Sequence, residues 1–273
     1  MLKKVFFSIC RLLPHRIAKT YLLPLRYRRR SIHAYHAKDF FESYYSLADS
    51  CRDEHTVSPD AQPHLSRFHY NQVENSIIEF LENHPDALPL NRVLDIGAGT
   101  GHWTDFYLKA FQAKHVTAIE ISTIAAQRLQ EHFPVDRVKV INQSVADAEP
   151  LPEKVDLINA IGVMFHVVND EELDRVVQRL AEVLRPGGVF IISGFFGWIS
   201  QNTQFHSHDA FSTWAEARDL PGDGPLLVDK RVRSIFFWRR LLNRHHLRIK
   251  KLRRYHNSLP GPENNVLFAV RCE

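Results

Sequence analysis

Val93-Leu94-Asp95-Ile96-Gly97-Ala98-Gly99-Thr100-Gly101 is the stretch on which the fold of this chain turns. Its start, with Arg92, reads as a short buried strand that ends in an acid and a last apolar residue. The remainder places glycine at every second position. Glycine adopts positive φ without steric cost and lets a ligand approach bare backbone. The pattern therefore predicts a strand that turns sharply into a helix, with a small-molecule site at the turn. About twenty residues on, a second apolar run ends in Glu120, a position suited to the two hydroxyls of a ribose. A nicotinamide dinucleotide site would space its glycines G-x-G-x-x-G, but here the third glycine is Gly101 and His102 follows directly.

Outward from this turn the chain alternates. Residues 92–96, 115–119, 139–142, 155–160 and 189–193 read as strands, and 102–113, 122–132 and 170–184 as helices, the second capped by Ser122. Strands separated by helices imply a parallel sheet covered on both faces, a doubly wound α/β fold whose ligands sit at the carboxyl ends of the strands. Upstream, apolar residues from Phe68 to Leu81 recur at helical spacing over 66–83, and Pro85 and Pro89 close that helix. Pro186-Gly187-Gly188 reads as a turn into the fifth strand. Downstream, 195–233 is aromatic and irregular, which predicts a lid or acceptor-side insertion. A helix over 234–243 and strands over 247–254 and 266–272, joined through Pro260-Gly261-Pro262, bring the sheet to seven strands. The expected organisation is a basic, helical N-terminal extension, 1–60, and one domain, 61–273.

The spacing D-x-G-x-G-x-G at Asp95–Gly101 resembles the first motif of the class I S-adenosylmethionine (SAM)-dependent methyltransferases. Val116-Thr117-Ala118-Ile119-Glu120-Ile121-Ser122 looks like that family's second strand with its ribose-binding acid, and Val155-Asp156-Leu157-Ile158 like its fourth. Val163-Met164-Phe165-His166-Val167 is similar to the segment after that strand, and Leu184-Arg185-Pro186-Gly187-Gly188 to the turn before the fifth. The resemblance implies a doubly wound, mostly parallel seven-stranded sheet and SAM as cofactor. Asp95, Gly97, Ala98, Gly99 and Gly101 would line its methionine end, Glu120 would take the ribose, and Ile121 would flank the adenine. Where the family usually carries an adenine-binding acid this chain has Ser144, followed by Val145, with Asp147 three residues on. Tyr70, in Arg67-Phe68-His69-Tyr70-Asn71, would cover the cofactor from above, and His166 is the candidate general base.

The expected reaction is methyl transfer to an O or N atom of a small molecule, sugar or lipid-linked precursor. Asn159-Ala160-Ile161-Gly162 is not the Asn-Pro-Pro-Tyr segment of enzymes that methylate base amino groups, and no cysteine stands there to attack a pyrimidine ring. His206-Ser207-His208-Asp209 reads as a surface loop, a substrate contact or a metal site, and no metal is expected. Phe195, Phe196, Trp198 and Trp214 read as lid packing or as an acceptor pocket.

Charge supplies the alternatives. Of 35 Lys and Arg, nine lie in 1–30 and eleven in 230–254, both stretches without an acid, which leaves 15 against all 31 Asp and Glu elsewhere. Such segments meet phosphates, so an RNA methyltransferase and an inactive, membrane-associated scaffold remain open beside the first reading. Cys10, Cys51 and Cys272 lie far apart, which points to a cytoplasmic protein. No run reaches the roughly 20 apolar residues of a spanning helix, so any membrane contact would be peripheral, through 1–30, on the inner face. The oligomeric state and the acceptor stay open.

Overall fold

Val155–Ala160, a strand with every residue buried, lies in the middle of the sheet and carries two buried polar residues, Asp156 and Asn159, among its apolar ones. The structure is a computed structural model that describes residues 37–47, 63–149, 151–194, 196, 203–206, 229–254 and 265–273. In chain order the elements are α1 (Ala37–Leu47), α2 (Pro63–Glu82), β1 (Arg92–Ile96), α3 (His102–Ala110), β2 (His115–Ile119), α4 (Thr123–His132), β3 (Val138–Ile141) and β4 (Val155–Ala160). They continue as α5 (Asp170–Val183), β5 (Leu184–Gly194), β6 (Thr203–His206), β7 (Asp229–Val232), α6 (Ile235–Arg244), β8 (Leu247–Arg254) and β9 (Asn265–Arg271).

Seven strands form one sheet in the order β3-β2-β1-β4-β5-β9-β8. β1 pairs in parallel with both β2 and β4, β2 with β3, and β4 with β5, while β9 runs antiparallel to β5 and β8. The chain thus begins in the middle, winds to one edge, returns to β4 and winds to the other. The loops after β1 and β4 diverge at that reversal, which opens a crevice at the carboxyl ends of the strands. The doubly wound, mostly parallel seven-stranded fold is the one expected.

Alternate strand residues feed two cores, because successive side chains leave a strand on opposite faces. Val93, Leu157, Ile191 and Phe268 pack with Val73 and Ile77 of α2, Tyr107 of α3 and Leu129 of α4. Leu94, Ile158, Ile192 and Leu267 pack with Val176, Val177 and Leu180 of α5 and Trp238, Leu241 and Leu242 of α6. Fully burying a side chain such as Leu94 contributes about 1.5–3 kcal/mol. The helix ends follow sequence rules: the Ser122 hydroxyl accepts from the Ala125 amide at the start of α4, and Asn169 caps α5, whose first turn is Asp170-Glu171-Glu172.

Three features depart from the sequence reading. The segment Arg185-Pro186-Gly187-Gly188 is not a free turn but a bulge at the start of β5. Val155 stands opposite Leu184 and Leu157 opposite Val189, and the extra residues loop out with Gly187 at φ +73°. Arg185 Nε donates to Asp156 Oδ1 at 2.6 Å, while Asp156 Oδ2 accepts from the Asn91 and Arg92 amides, so the bulge is tied to the start of β1. The second departure lies in 195–233, which contains a two-stranded antiparallel ribbon, β6 against β7. The third concerns α1: the sequence predicts a helical extension but leaves its docking open, and Phe40, Tyr44 and Tyr45 bury against Ala125 of α4. The basic segment 1–30, Phe195, Trp198, Trp214, His208, Asp209 and the 260–262 turn lie outside the described residues. Among the described residues no helix is long and apolar enough to cross a membrane.

Candidate functional site

The loop after β1 is held by backbone hydrogen bonds: the Gly97 and Ala98 amides both donate to Ile119 O, and the Gly101 amide donates to Ala98 O. Two of its glycines are dictated by shape. Gly101 caps α3 at φ +99°, and a Cβ there would stand 2.4 Å from Phe133 Cε2 and 2.9 Å from Leu129 Cδ2. Gly99 sits at φ +58°, with the Tyr45 hydroxyl 2.7 Å from where a Cβ would be. Both are left-handed positions that other residues reach only with strain.

Glu120 ends β2 beside this loop and is only 3% exposed. Its Oε2 accepts from the Gly99 amide at 2.8 Å and its Oε1 from the Ser122 amide at 2.9 Å. Burial pushes the carboxyl up to about 7, against the pull of the Ser122, Gly99 and Ile121 amides. Each oxygen keeps a further lone pair, so the group can accept two more hydrogen bonds. A bidentate acceptor fixed by backbone at the sheet's crevice is what a vicinal diol requires.

Asp95 lies deeper. Its Oδ2 accepts from the Thr104 hydroxyl at 2.7 Å and its Oδ1 from Asn159 Nδ2 at 2.8 Å, while the Tyr107 hydroxyl donates to Asn159 Oδ1 at 3.2 Å. Burial raises this carboxyl to about 6 despite those donors. Asp95 therefore braces β1, α3 and β4 against one another beneath the glycine loop. Ala98 is buried within the loop.

On the far side, Ile121 is half-buried, and its carbonyl, like that of Glu120, accepts from Asn142 Nδ2. Ser144 is half-buried, and its hydroxyl accepts from the Ala146 amide at 3.2 Å. The Val145 carbonyl accepts from Arg179 Nη2 at 3.1 Å. Asp147 is exposed. Tyr70 projects from α2, buried, with its ring against His102 and Trp103 at centroid distances of 4.2 and 5.6 Å. His166 follows β4, half-buried, its ring 5.1 Å edge-on to Phe41.

Sequence reasoning missed α1 as part of this site. Glu42 Oε1 accepts from the Thr123 amide at 2.7 Å, and its Oε2 from the Ser122 hydroxyl at 2.9 Å and the Ile124 amide at 3.3 Å. One turn along, Tyr45 lies against Gly99, and Phe41 lies against His166. The helix thus spans from the glycine loop to the segment after β4. Burial and the nearby Glu120 carboxylate raise the Tyr45 phenol far above its usual value, so it stays protonated and able to donate. The only advance signal is the i, i+4 aromatic pairing in Phe40-Phe41-Glu42-Ser43-Tyr44-Tyr45.

Residues 93–188 match a family model described as a methyltransferase domain. Over 111 residues the chain is 38% identical to a malonyl-[acyl-carrier protein] O-methyltransferase of Methylococcus capsulatus, 39% of this chain and 38% of that protein. Over 148 residues it is 30% identical to protein arginine N-methyltransferase 6 of Xenopus tropicalis, 53% of this chain and 43% of that protein. The chain therefore spans less than half the length of either relative. Among solved structures it shares a fold, at 17% identity and TM-score 0.58, with magnesium protoporphyrin IX methyltransferase from Synechocystis with bound SAM, over 88% of this chain and 100% of that one. A 1,6-didemethyltoxoflavin-N1-methyltransferase from Burkholderia thailandensis aligns over 90% of this chain and 92% of its own, at 20% identity and TM-score 0.57. Residues 93–188 thus match a methyltransferase domain, set in a fold shared with solved SAM-dependent methyltransferases.

Proposed function

We propose that this protein binds SAM at the β1–β2 crevice and transfers its methyl group to an O or N atom of a small-molecule, sugar or lipid-linked acceptor. The observation that carries the reading is Glu120, a buried carboxylate fixed by the Gly99 and Ser122 amides with two lone pairs left for a ribose. The residues suit the cofactor: the glycine loop offers backbone to its methionine end, Ile121 and Val145 offer apolar flanks to an adenine, and Ser144 offers it a hydroxyl. SAM supplies an electrophilic methyl on a sulfonium. The protein's part is to orient the acceptor and exclude water, and orientation alone lowers such barriers by about 7–11 kcal/mol. α1 flanks the glycine loop, with Tyr45 beside Gly99, and Tyr70 of α2 packs on His102 at the start of α3. His166, which follows β4, is the group we assign to take the acceptor's proton.

An enclosed acceptor fits better than RNA. Among the eleven basic residues of 230–254, Arg231 and Arg233 pair with Asp170, Arg244 with Asp174, and Lys251 and Arg253 with Glu79. Five of the cations that suggested a phosphate-binding surface are thus ion-paired within the fold. The reading includes a cytoplasmic location, with any membrane contact peripheral.

The experiment is transfer of tritium from methyl-labelled SAM into a cell extract, separated into small-molecule, lipid, protein and RNA fractions. Label in small molecules or lipids, absent in a Glu120→Ala variant, is the expected result. Label in protein would move the reading toward the arginine methyltransferases, label in RNA toward the basic segments, and label in no fraction toward the inactive scaffold.

A further inference from the structure

Two arginines share one carboxylate on the acceptor side of the crevice. Arg233, between β7 and α6, is 1% exposed, the largest of the fully buried side chains. Its Nε donates to Asp170 Oδ1 at 2.8 Å and its Nη2 to Val167 O at 2.7 Å. Arg231, on β7, donates from Nη2 to Asp170 Oδ2 at 2.5 Å, and its amide donates to Phe165 O at 2.8 Å. Asp170 opens α5, directly after the segment that carries His166. Both guanidinium groups therefore stand near the carboxyl end of β4, along the backbone of the loop that faces the acceptor.

Among the described residues the charges do not balance. Two cations meet one anion, and Glu171 and Glu172 in the same helical turn form no ion pair with either arginine among the described residues. Donors are also left over: Arg231 Nε and Arg233 Nη1 are buried without a hydrogen-bond acceptor among the described residues. Burial, together with the neighbouring Arg231 charge, lowers Arg233 to about 10 against the opposing pull of Asp170. Arg233 lies over the Phe237 ring at 5.4 Å, which fixes it in place, whereas the Arg231 side chain keeps 21% exposure. A clamp that only held the ribbon to the core would need one arginine for one carboxylate. A second buried cation carries a desolvation cost that an additional anion offsets.

We propose that Arg231, which shares Asp170 with Arg233, is an anion subsite that binds a carboxylate or phosphate carried by the methyl acceptor. The proposal rests on the methyltransferase reading and adds to it the acceptor's charge. Arginine suits such groups because its planar fork donates two hydrogen bonds to paired oxygens.

The test uses the full chain saturated with S-adenosylhomocysteine, titrated at constant ionic strength with inorganic phosphate and, separately, with malonate. Thermal denaturation reads the apparent affinity. At least one anion should stabilise the protein saturably, and the stronger of the two identifies the group. Arg231→Gln should weaken that anion about tenfold, or ~1.4 kcal/mol, while Arg239→Gln, at an exposed position of α6, should match the parent. Asp170→Asn, which removes the competing carboxylate, should tighten binding, and a purely structural role predicts no such gain. Parent-like binding in Arg231→Gln, or no saturable effect of either anion, overturns the proposal. S-adenosylhomocysteine binding is measured first in each sample. Its presence without an anion effect defeats the subsite alone, whereas its absence defeats the methyltransferase reading, and the Arg231 dependence of phosphate binding then still decides the subsite.

Discussion

Removing the Glu42 carboxylate tests how α1 is held over the site. The first amides of α4 divide among three acceptors: Ser122 N goes to Glu120 and Ala125 N to the Ser122 hydroxyl, while Thr123 N and Ile124 N go to Glu42. Glu42 therefore takes the two donors that the helix's own cap does not reach. Burial pushes this carboxyl up, but the Thr123, Ser122 and Ile124 donors outweigh it and hold it below the usual glutamate range. It is half-buried, so water can replace it, and the full penalty for an orphaned buried amide does not apply. What is lost in Glu42→Ala is a capping acceptor, about 1 kcal/mol, and a charge at a helix N-terminus, about 0.3–1 kcal/mol. Together, ~1–2 kcal/mol means a roughly 5–30-fold larger undocked fraction of α1. Hydrogen exchange read by mass spectrometry should show that acceleration in peptides over 37–47, with those over β1 and β4 unchanged. Glu42→Gln, which keeps one acceptor, should fall between. Unaltered exchange in α1, or equal acceleration everywhere, would refute the capping argument. Because the folded pKa is depressed, the docking energy is complete above the unfolded value and disappears as pH falls through the folded one.

Gly101→Ala combines a left-handed φ with a Cβ 2.4 Å from the Phe133 ring, so unfolding free energy in urea should drop by about 2–5 kcal/mol. A loss below ~1 kcal/mol would mean that the loop relaxes freely. The Glu120 carboxyl is raised from 4.5 to about 7, so between those values the folded state holds a proton that the unfolded chain has released, and stability should decline as pH rises through that window. Glu120→Gln should make that decline shallower, leaving the part due to Asp95 below about 6, and superimposable pH profiles would count against the assignment. Thr104→Val deprives Asp95 Oδ2 of its donor within the core and should cost about 1–3 kcal/mol in the same urea assay.

The central sheet was legible because parallel strands buried on both faces, such as Val155–Ala160, appear as short, mostly apolar runs between helices with clear caps. Glu120 was legible because its distance from the glycine turn is set by one βαβ unit. What escaped depends on contacts distant in sequence. The Glu42–Ser122 bond joins residues 80 apart, and nothing local in Phe40–Tyr45 indicates where that helix docks. The part of Asp95 as a brace needed Asn159, 64 residues away. The ribbon β6–β7 is built of four-residue strands, too short for a period to be visible. The basic run at 230–254 looked like an open surface because its partners, Asp170, Asp174 and Glu79, lie on other elements.

The most direct test of the account is calorimetric titration of the purified chain and its Glu120→Ala variant with SAM and S-adenosylhomocysteine, with NAD as control. The account predicts micromolar binding of both sulfur compounds by the parent, a loss of at least about tenfold in the variant (one hydrogen bond to a charged group contributing ~1.5–3 kcal/mol), and no binding of NAD. Absence of binding by either compound, or affinity equal in parent and variant, would contradict it.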